Sequence, residues 1–152
     1  MVMDKITLYI HEIIDRAKKA RTKEKKLNIL KENENWALKD ILGGIYSDDI
    51  KFNLPPGTPP YTEANEGTFP SDLRRKHKDF RYFVIGGPGD KLNSVKRETM
   101  FIAMLESVTP KEAEILVSMK KKDLGIRGLT YRLVAETFPH LIPPMQDNKK
   151  SK

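Results

Sequence analysis

The sequence predicts an all-α fold, a single compact bundle of six or seven helices with one proline-rich loop at about residues 47–70. Three observations predict it. Apolar residues recur at three- and four-residue steps through most of the chain, which is the spacing that places them on one face of a helix. Residues that favour helix N-termini precede several of these runs. Finally, half of the ten prolines fall in one segment, where they forbid a long helix.

Two helices are predicted before residue 35. The spacing of the isoleucines indicates a first helix at about residues 4–20. Thr22 is a suitable N-cap for a second helix, and Asn33 or Asn35 can end it.

A third helix follows, with Trp36 expected as a large apolar anchor. The Gly43-Gly44 pair indicates either close helix packing or an early helix end, because glycine costs about 1 kcal/mol relative to alanine within a helix. The residues expected to face the core are Leu38, Ile41, Leu42 and Ile45.

The proline-rich loop is acidic, and the alternation of Ile50, Phe52 and Leu54 predicts a short extended piece that pins it to the body. Beyond it, Ser71 or Asp72 can cap a fourth, amphipathic helix with a basic outer face. Its predicted inward residues are Leu73, Phe80, Phe83 and Val84, and the glycines at residues 86–89 then form a turn.

Three more helices complete the prediction. A fifth begins at Asn93 or Ser94, with Val95, Phe101, Ile102, Leu105 and Val108 inward. The run Thr109-Pro110-Lys111-Glu112 is a capping box with proline at the first helical position, so a sixth helix spans about residues 110–121. After a glycine-containing turn at residues 123–128, Thr130 caps a last helix that ends near Phe138. We expect one domain over residues 1–147 and a flexible basic tail at 148–152.

Several function classes are excluded by composition. Cysteine is absent, so disulfides, thiolate metal sites and cysteine nucleophiles are ruled out. His11, His77 and His140 fall on separate segments, which argues against a metal site. There is no nucleophile elbow and no phosphate-loop spacing. We therefore expect no catalysis, no metal and no cofactor.

Location follows from similar reasoning. No apolar run is long enough for a membrane span, and the first ten residues lack the layout of a signal peptide. We expect a cytoplasmic protein without a membrane partner.

The charge is strongly uneven along the chain. Lysine and arginine number 28 against 21 acidic residues, a net charge of +7. The net charge is +4 over residues 1–33, −4 over 34–70, +5 over 71–97, −3 over 98–119 and +5 over 120–152. Each basic block can be a solvated helix face. If the three converge on one face, the natural partner is a polyanion such as nucleic acid.

Residues 119–132 are the most suggestive segment. A helix ending in Lys120, Lys121 and Lys122, then a glycine turn and a Thr-capped helix, can offer a phosphate both positive charge and unpaired backbone N–H groups. Alternatively, the lysines only complement the dipole at the C-terminal end of their helix.

Several segments near the two ends of the chain carry a resemblance: residues 22–30 (TKEKKLNIL), 38–39 (LK), 46–52 (YSDDIKF), 122–124 (KDL), 127–128 (RG) and 138–143 (FPHLIP). In these segments the chain resembles the N-terminal, all-helical DNA-binding domain of ATP-dependent DNA ligases, most closely that of the T-even-type phage ligase. The chain is also similar to a family of small proteins of T-even-like phages, which would place it in an infected host cell. The ligase adenylation motif K-x-D-G is absent, so ligation by this chain alone is not expected.

The resemblance implies a non-catalytic protein that contacts the sugar-phosphate backbone of double-stranded DNA with little sequence specificity, in phage DNA replication or repair. By matching position it places Lys122, Arg127, Gly128 and Thr130 at the DNA. Together with the basic clusters, the predicted DNA-binding residues are Lys23, Lys25, Lys26, Arg74, Arg75, Lys78, Arg81, Lys120, Lys121, Lys122, Arg127, Gly128, Thr130 and Arg132.

A rival hypothesis is a protein-binding adapter, or an inhibitor of a host or replication protein. The acidic, proline-rich loop supports it, because Phe52, Tyr61 and Phe69 are predicted to be exposed there.

Overall fold

The structure, a computed structural model, describes residues 8–64, 71–122 and 129–143. Within these ranges it contains seven α-helices and two short 3₁₀ helices, which confirms the all-α prediction. The α-helices are α1 (Ile10–Lys19), α2 (Lys23–Glu32), α3 (Trp36–Tyr46), α4 (Leu73–Lys76), α5 (Ser94–Ser107), α6 (Pro110–Lys121) and α7 (Tyr131–Thr137). The 3₁₀ helices are His77–Phe83 and Pro88–Lys91.

All seven helices contribute to one hydrophobic core. Helix α1 packs against α2 and α6, and α2 packs against α7. Helix α3 packs against both α6 and α4, and α5 packs against α6. The most continuous apolar faces belong to α3 and α6, so these two helices form the centre of the bundle.

Most predicted helix starts are confirmed by cap geometry. Six N-cap side chains accept a hydrogen bond from the backbone N–H three residues further on: Thr22, Asn35, Asp72, Asn93, Thr109 and Thr130. Asn33 ends α2, and Asn35 caps α3 instead. Part of the first predicted helix, residues 4–7, and the tail at 148–152 lie outside the described residues.

The fourth helix differs from the prediction. It has a single α-helical turn and continues as the 3₁₀ helix. The chain then pairs with the extended piece of the loop: Asn53 N–H donates to the Phe83 carbonyl at 2.8 Å, and Ile85 N–H donates to the Lys51 carbonyl at 2.7 Å. These two bonds hold the backbone around Val84 in an extended form, which prevents a longer helix. The pinning of the loop through Phe52 is thereby confirmed.

Two predictions of inward-facing residues are wrong. Trp36 is 72% exposed, and so is Val95. At about 100° per residue, Trp36 lies about 200° around α3 from the buried Leu38, and Val95 about 240° around α5 from the buried Phe101. Both side chains therefore stand on the outer faces of their helices.

The glycine pair in α3 marks close packing, since the helix continues past it to Tyr46. A Cβ atom on Gly44 would come within 2.8 Å of Met119 Sδ on α6. A Cβ atom on Gly43 would meet Leu141 at 3.6 Å, an ordinary contact. Only Gly44 is thus required for the close approach of α3 and α6.

Glu112 is a fully buried carboxylate that joins three helices. Of the predicted capping box, the hydrogen bond from Glu112 N–H to the Thr109 side chain is present. The Glu112 carboxylate, however, accepts hydrogen bonds from backbone N–H groups of two other helices. Leu73 N–H donates to Oε1 at 3.2 Å and Ile10 N–H donates to Oε2 at 3.3 Å. Burial raises the pKa of Glu112 to about 7, partly opposed by these two hydrogen bonds.

In the described parts of the chain, every helix is too short or too polar to cross a membrane.

The glycine pair gives a matched test of packing. We expect Gly43→Ala to raise the free energy of unfolding by up to about 1 kcal/mol, because alanine favours the helix and has room. Gly44→Ala should be less stable than Gly43→Ala by about 1–3 kcal/mol, because its methyl group meets Met119. Urea unfolding of both variants measures this, and equal stabilities would contradict the packing argument.

Glu112 should make stability depend on pH. Its pKa is about 7 in the folded chain and near the ordinary 4.5 when unfolded, so folding favours the protonated form. Its stabilising contribution is therefore complete below about pH 4.5 and is lost as the pH rises through about 7, an effect on the order of 1–3 kcal/mol. Unfolding of the wild type and Glu112→Gln at several pH values tests this. The wild type should lose stability relative to the variant as pH rises, whereas identical slopes would refute the assignment.

Candidate functional site

A central depression of about 480 Å³ opens between α3, the 3₁₀ helix His77–Phe83 and α6. Its floor is apolar and includes Phe52, Phe80 and Met119. Its polar lining comprises Lys39, Asp40, His77, Lys78 and Arg81. The Nδ1 atom of His77 lies 2.5 Å from Asp40 Oδ2, so the acidic group of this rim is paired within the rim.

A second depression of about 380 Å³ adjoins the first, because Phe52 lines both. It lies between the end of α6 and the proline-rich loop. Four lysines and one carboxylate line it: Lys51, Lys120, Lys121, Lys122 and Asp48.

A third depression of about 280 Å³ adjoins the central one on another side, through Lys39 and Leu141. Lys31, Glu34 and the exposed Trp36 line it, together with Phe138 and the residues that follow α7. The three depressions are thus neighbours on the surface, and we call them together the basic furrow.

The basic furrow concentrates positive charge. Among the described residues, eight cations and three carboxylates line it. The cations are Lys31, Lys39, Lys51, Lys78, Arg81, Lys120, Lys121 and Lys122, and the carboxylates are Glu34, Asp40 and Asp48. The excess of five charges gives the furrow a field that attracts anions.

Lys122 ends α6 and also caps α3. Its backbone is left-handed, with φ of 59°, and its Nζ donates to the carbonyls of Gly44 and Ser47 at 2.7 Å each. The ammonium group also lies 5.5 Å from the centre of the Phe52 ring. Burial lowers the pKa of Lys122, partly opposed by Asp48. This lysine therefore has a structural role.

Lys120 ties α6 to the proline-rich loop. Its Nζ donates to the Pro55 carbonyl at 2.5 Å and also to the Gly57 carbonyl. Burial lowers the pKa of Lys120, and the neighbouring charge of Lys121 lowers it further. The loop is thus held against the helix end by a cation, which agrees with the loop's negative charge.

The structure brings together five of the predicted DNA-binding residues in the basic furrow. They are Lys78, Arg81, Lys120, Lys121 and Lys122, which come from the middle and C-terminal basic clusters. Two clusters that are distant in sequence therefore share one surface.

The other described residues of that prediction do not line the furrow. Lys23 pairs with Glu136 at 2.5 Å, and Lys26 Nζ donates to the carbonyls of Ala17 and Lys18 at the end of α1. Arg74 donates to the Leu8 carbonyl, and Thr130 caps α7. Lys25, Arg75 and Arg132 are exposed outside the furrow, and Arg127 and Gly128 lie outside the described residues.

Sequence reasoning missed Lys31, Lys39, Lys51 and Trp36 as furrow residues. Lys31, Lys39 and Lys51 stand outside the basic clusters of the sequence, so the search for such clusters did not indicate them. A helical projection of α3 could have shown that Trp36 lies opposite the core.

The residues that supported the adapter hypothesis are less exposed than predicted. Phe52 and Tyr61 are both half-buried and pack against the core, and Phe69 lies outside the described residues. In the described ranges, no three His, Asp or Glu side chains approach closely enough to hold a metal ion.

A family model described as a family of unknown function (DUF6433) matches residues 13–126, about three quarters of the chain. All eight cations of the basic furrow fall within the matched range. No curated protein matches the chain.

The two adjacent lysines at the end of α6 allow a matched stability test. We expect Lys122→Ala to lower the free energy of unfolding by about 1–3 kcal/mol, because two buried carbonyls lose their donor. Lys121→Ala removes the same charge from an exposed side chain, so its effect should stay within about 0.5 kcal/mol. Thermal or urea unfolding measures both, and equal effects would show that Lys122 does not cap α3.

Proposed function

The chain belongs to the DUF6433 family, whose function is unknown, and we propose that it is a non-catalytic DNA-binding protein. It holds the sugar-phosphate backbone of double-stranded DNA in the basic furrow, with little sequence specificity. The observation that carries this proposal is the convergence of eight cations from α2, α3, α6 and two intervening segments on one surface.

The arrangement of these cations suits phosphate groups. Lys120 and Lys122 each use two ammonium donors on backbone carbonyls, so each retains a third donor at a fixed position. Lys51, Lys78, Arg81 and Lys121 are exposed and supply further positive charge around them. Cations of both kinds contact phosphates, and such contacts position a protein on DNA without reading its sequence.

The resemblance to the DNA-binding domain of ATP-dependent DNA ligases supports the same proposal. Of the residues that it assigns to DNA, Lys122 lines the basic furrow. We place the protein in DNA replication or repair on this resemblance.

Salt dependence is the first test. If about five phosphates are neutralised, the logarithm of the association constant should fall against the logarithm of salt concentration with a slope of about −4.5. Fluorescence anisotropy of a labelled duplex, titrated at several salt concentrations, measures the slope. Absence of binding at low salt would refute the proposal.

Charge-removing variants locate the surface. Lys78→Ala and Lys121→Ala should each weaken binding and reduce the salt slope by about 1, equally for two unrelated duplex sequences. Lys96→Ala removes the same charge from an exposed position outside the furrow and should have little effect. Lys25→Ala tests whether the N-terminal cluster also contacts DNA. Equal losses in Lys96→Ala and Lys121→Ala would show that only the net charge matters.

A protein partner is the second candidate, and the apolar floor of the central depression favours it. Phe52, Phe80 and Met119 could receive an apolar side chain between the rim cations Lys78 and Arg81. If the furrow binds a protein instead, either the wild type does not bind DNA at low salt, or Lys78→Ala and Lys121→Ala bind DNA as tightly as the wild type does. Either result separates the two functions.

A further inference from the structure

We propose that Trp36, at one end of the basic furrow, is a stacking platform for an unpaired base of the DNA whose backbone occupies the furrow. The inference rests on the proposed function and adds that the bound DNA carries an unpaired base at a gap, a strand end or a single-stranded stretch. It begins from the exposed position of this side chain, which is the only tryptophan in the chain.

Trp36 presents an unusually large apolar surface to solvent. The side chain is 72% exposed, although it is the first residue of a helix whose other apolar residues are mostly buried. A tryptophan combines a broad aromatic face with a single polar N–H group, so leaving it exposed forgoes much stabilisation that burial would supply. Core packing therefore does not account for its position.

A lysine of the same helix lies beside the ring. Lys39, one turn further along α3, places Nζ 5.0 Å from the centre of the Trp36 ring. The same ammonium group pairs with Glu34 and lies 5.7 Å from the centre of the Phe138 ring. These contacts place the Lys39 ammonium group beside a ring that stays 72% exposed, so a cation and an open aromatic surface lie together.

The cations around Trp36 indicate which kind of ligand would stack on its ring. Trp36 lines the third depression of the furrow, beside Lys31 and His140, and this depression shares Lys39 with the central one. Its one carboxylate, Glu34, is paired with Lys39. A basic groove that ends in an exposed aromatic ring is the combination that binds single-stranded nucleic acid, where phosphates follow the groove and bases stack on the ring.

Duplex DNA cannot use such a platform within a paired region, because each base face is covered by its neighbours in the stack. An unpaired base, at a gap, a strand end or a single-stranded stretch, exposes its face. The platform therefore selects DNA with an unpaired base next to the backbone that occupies the furrow.

The single tryptophan makes the test direct, since any change in tryptophan fluorescence reports on Trp36. The probes are an end-labelled oligothymidylate and an abasic oligonucleotide of the same length, which carries the same phosphates without bases. We expect oligothymidylate to quench Trp36 fluorescence and to bind about 5- to 150-fold more tightly than the abasic probe.

Variants separate stacking from charge. Trp36→Ala should weaken oligothymidylate binding by the same factor and leave binding of the abasic probe unchanged, whereas Trp36→Phe should retain most of the affinity. Val95→Ala is the matched control, because Val95 is equally exposed and lies outside the furrow. Circular dichroism verifies that each variant is folded.

The outcomes distinguish the two proposals. If both probes bind equally and tryptophan fluorescence does not change at saturation, the stacking platform is refuted while DNA binding by the furrow stands. If neither probe binds at low salt while duplex DNA does, the stacking platform is refuted and the proposed function stands. If duplex DNA does not bind either, both proposals fail.

Discussion

The buried carboxylate of Glu112 is the contact on which the rest of the bundle depends. A carboxylate without solvent must have hydrogen-bond donors, and the first turns of α1 and α4 supply them. Glu112 itself lies in the first turn of α6, so one side chain joins the N-terminal ends of three helices. This junction sets the position of α6, which in turn carries Met119 against Gly44 and Lys122 against the end of α3. The floor of the basic furrow therefore depends on an interaction in the core.

The lysines at the end of α6 combine structural and surface roles. Lys120 and Lys122 donate to carbonyls of the loop and of α3, and these bonds close the bundle around the furrow. The same bonds hold two positive charges in a half-buried depression, where burial lowers the pKa of both groups. An anion bound in this depression would offset the free-energy cost of burying these two charges. Stability and anion binding are thus linked through the same side chains.

Local sequence signals were sufficient for most helices and for only part of the site. Cap residues such as Thr22, Asp72 and Thr130 predict their helices correctly, because a cap bond forms between residues three apart. The early end of the fourth helix was missed, since the chain beyond Phe83 pairs with a loop about thirty residues earlier. Among the cations, clusters along the chain revealed Lys78 and Lys121, whereas Lys31, Lys39 and Lys51 reach the furrow singly.

The sequence by itself determined the helical class, most helix boundaries, the lack of cysteine chemistry and the uneven distribution of charge. These properties depend on composition and on interactions within one turn of helix. Only the tertiary structure decided which basic clusters share a surface, which lysines cap carbonyls, and that Trp36 faces solvent beside them. The physical reason is that packing between α3 and α6 brings together residues that are about 80 positions apart, such as Gly44 and Lys122. Neither the spacing of residues along the chain nor the composition predicts such a contact.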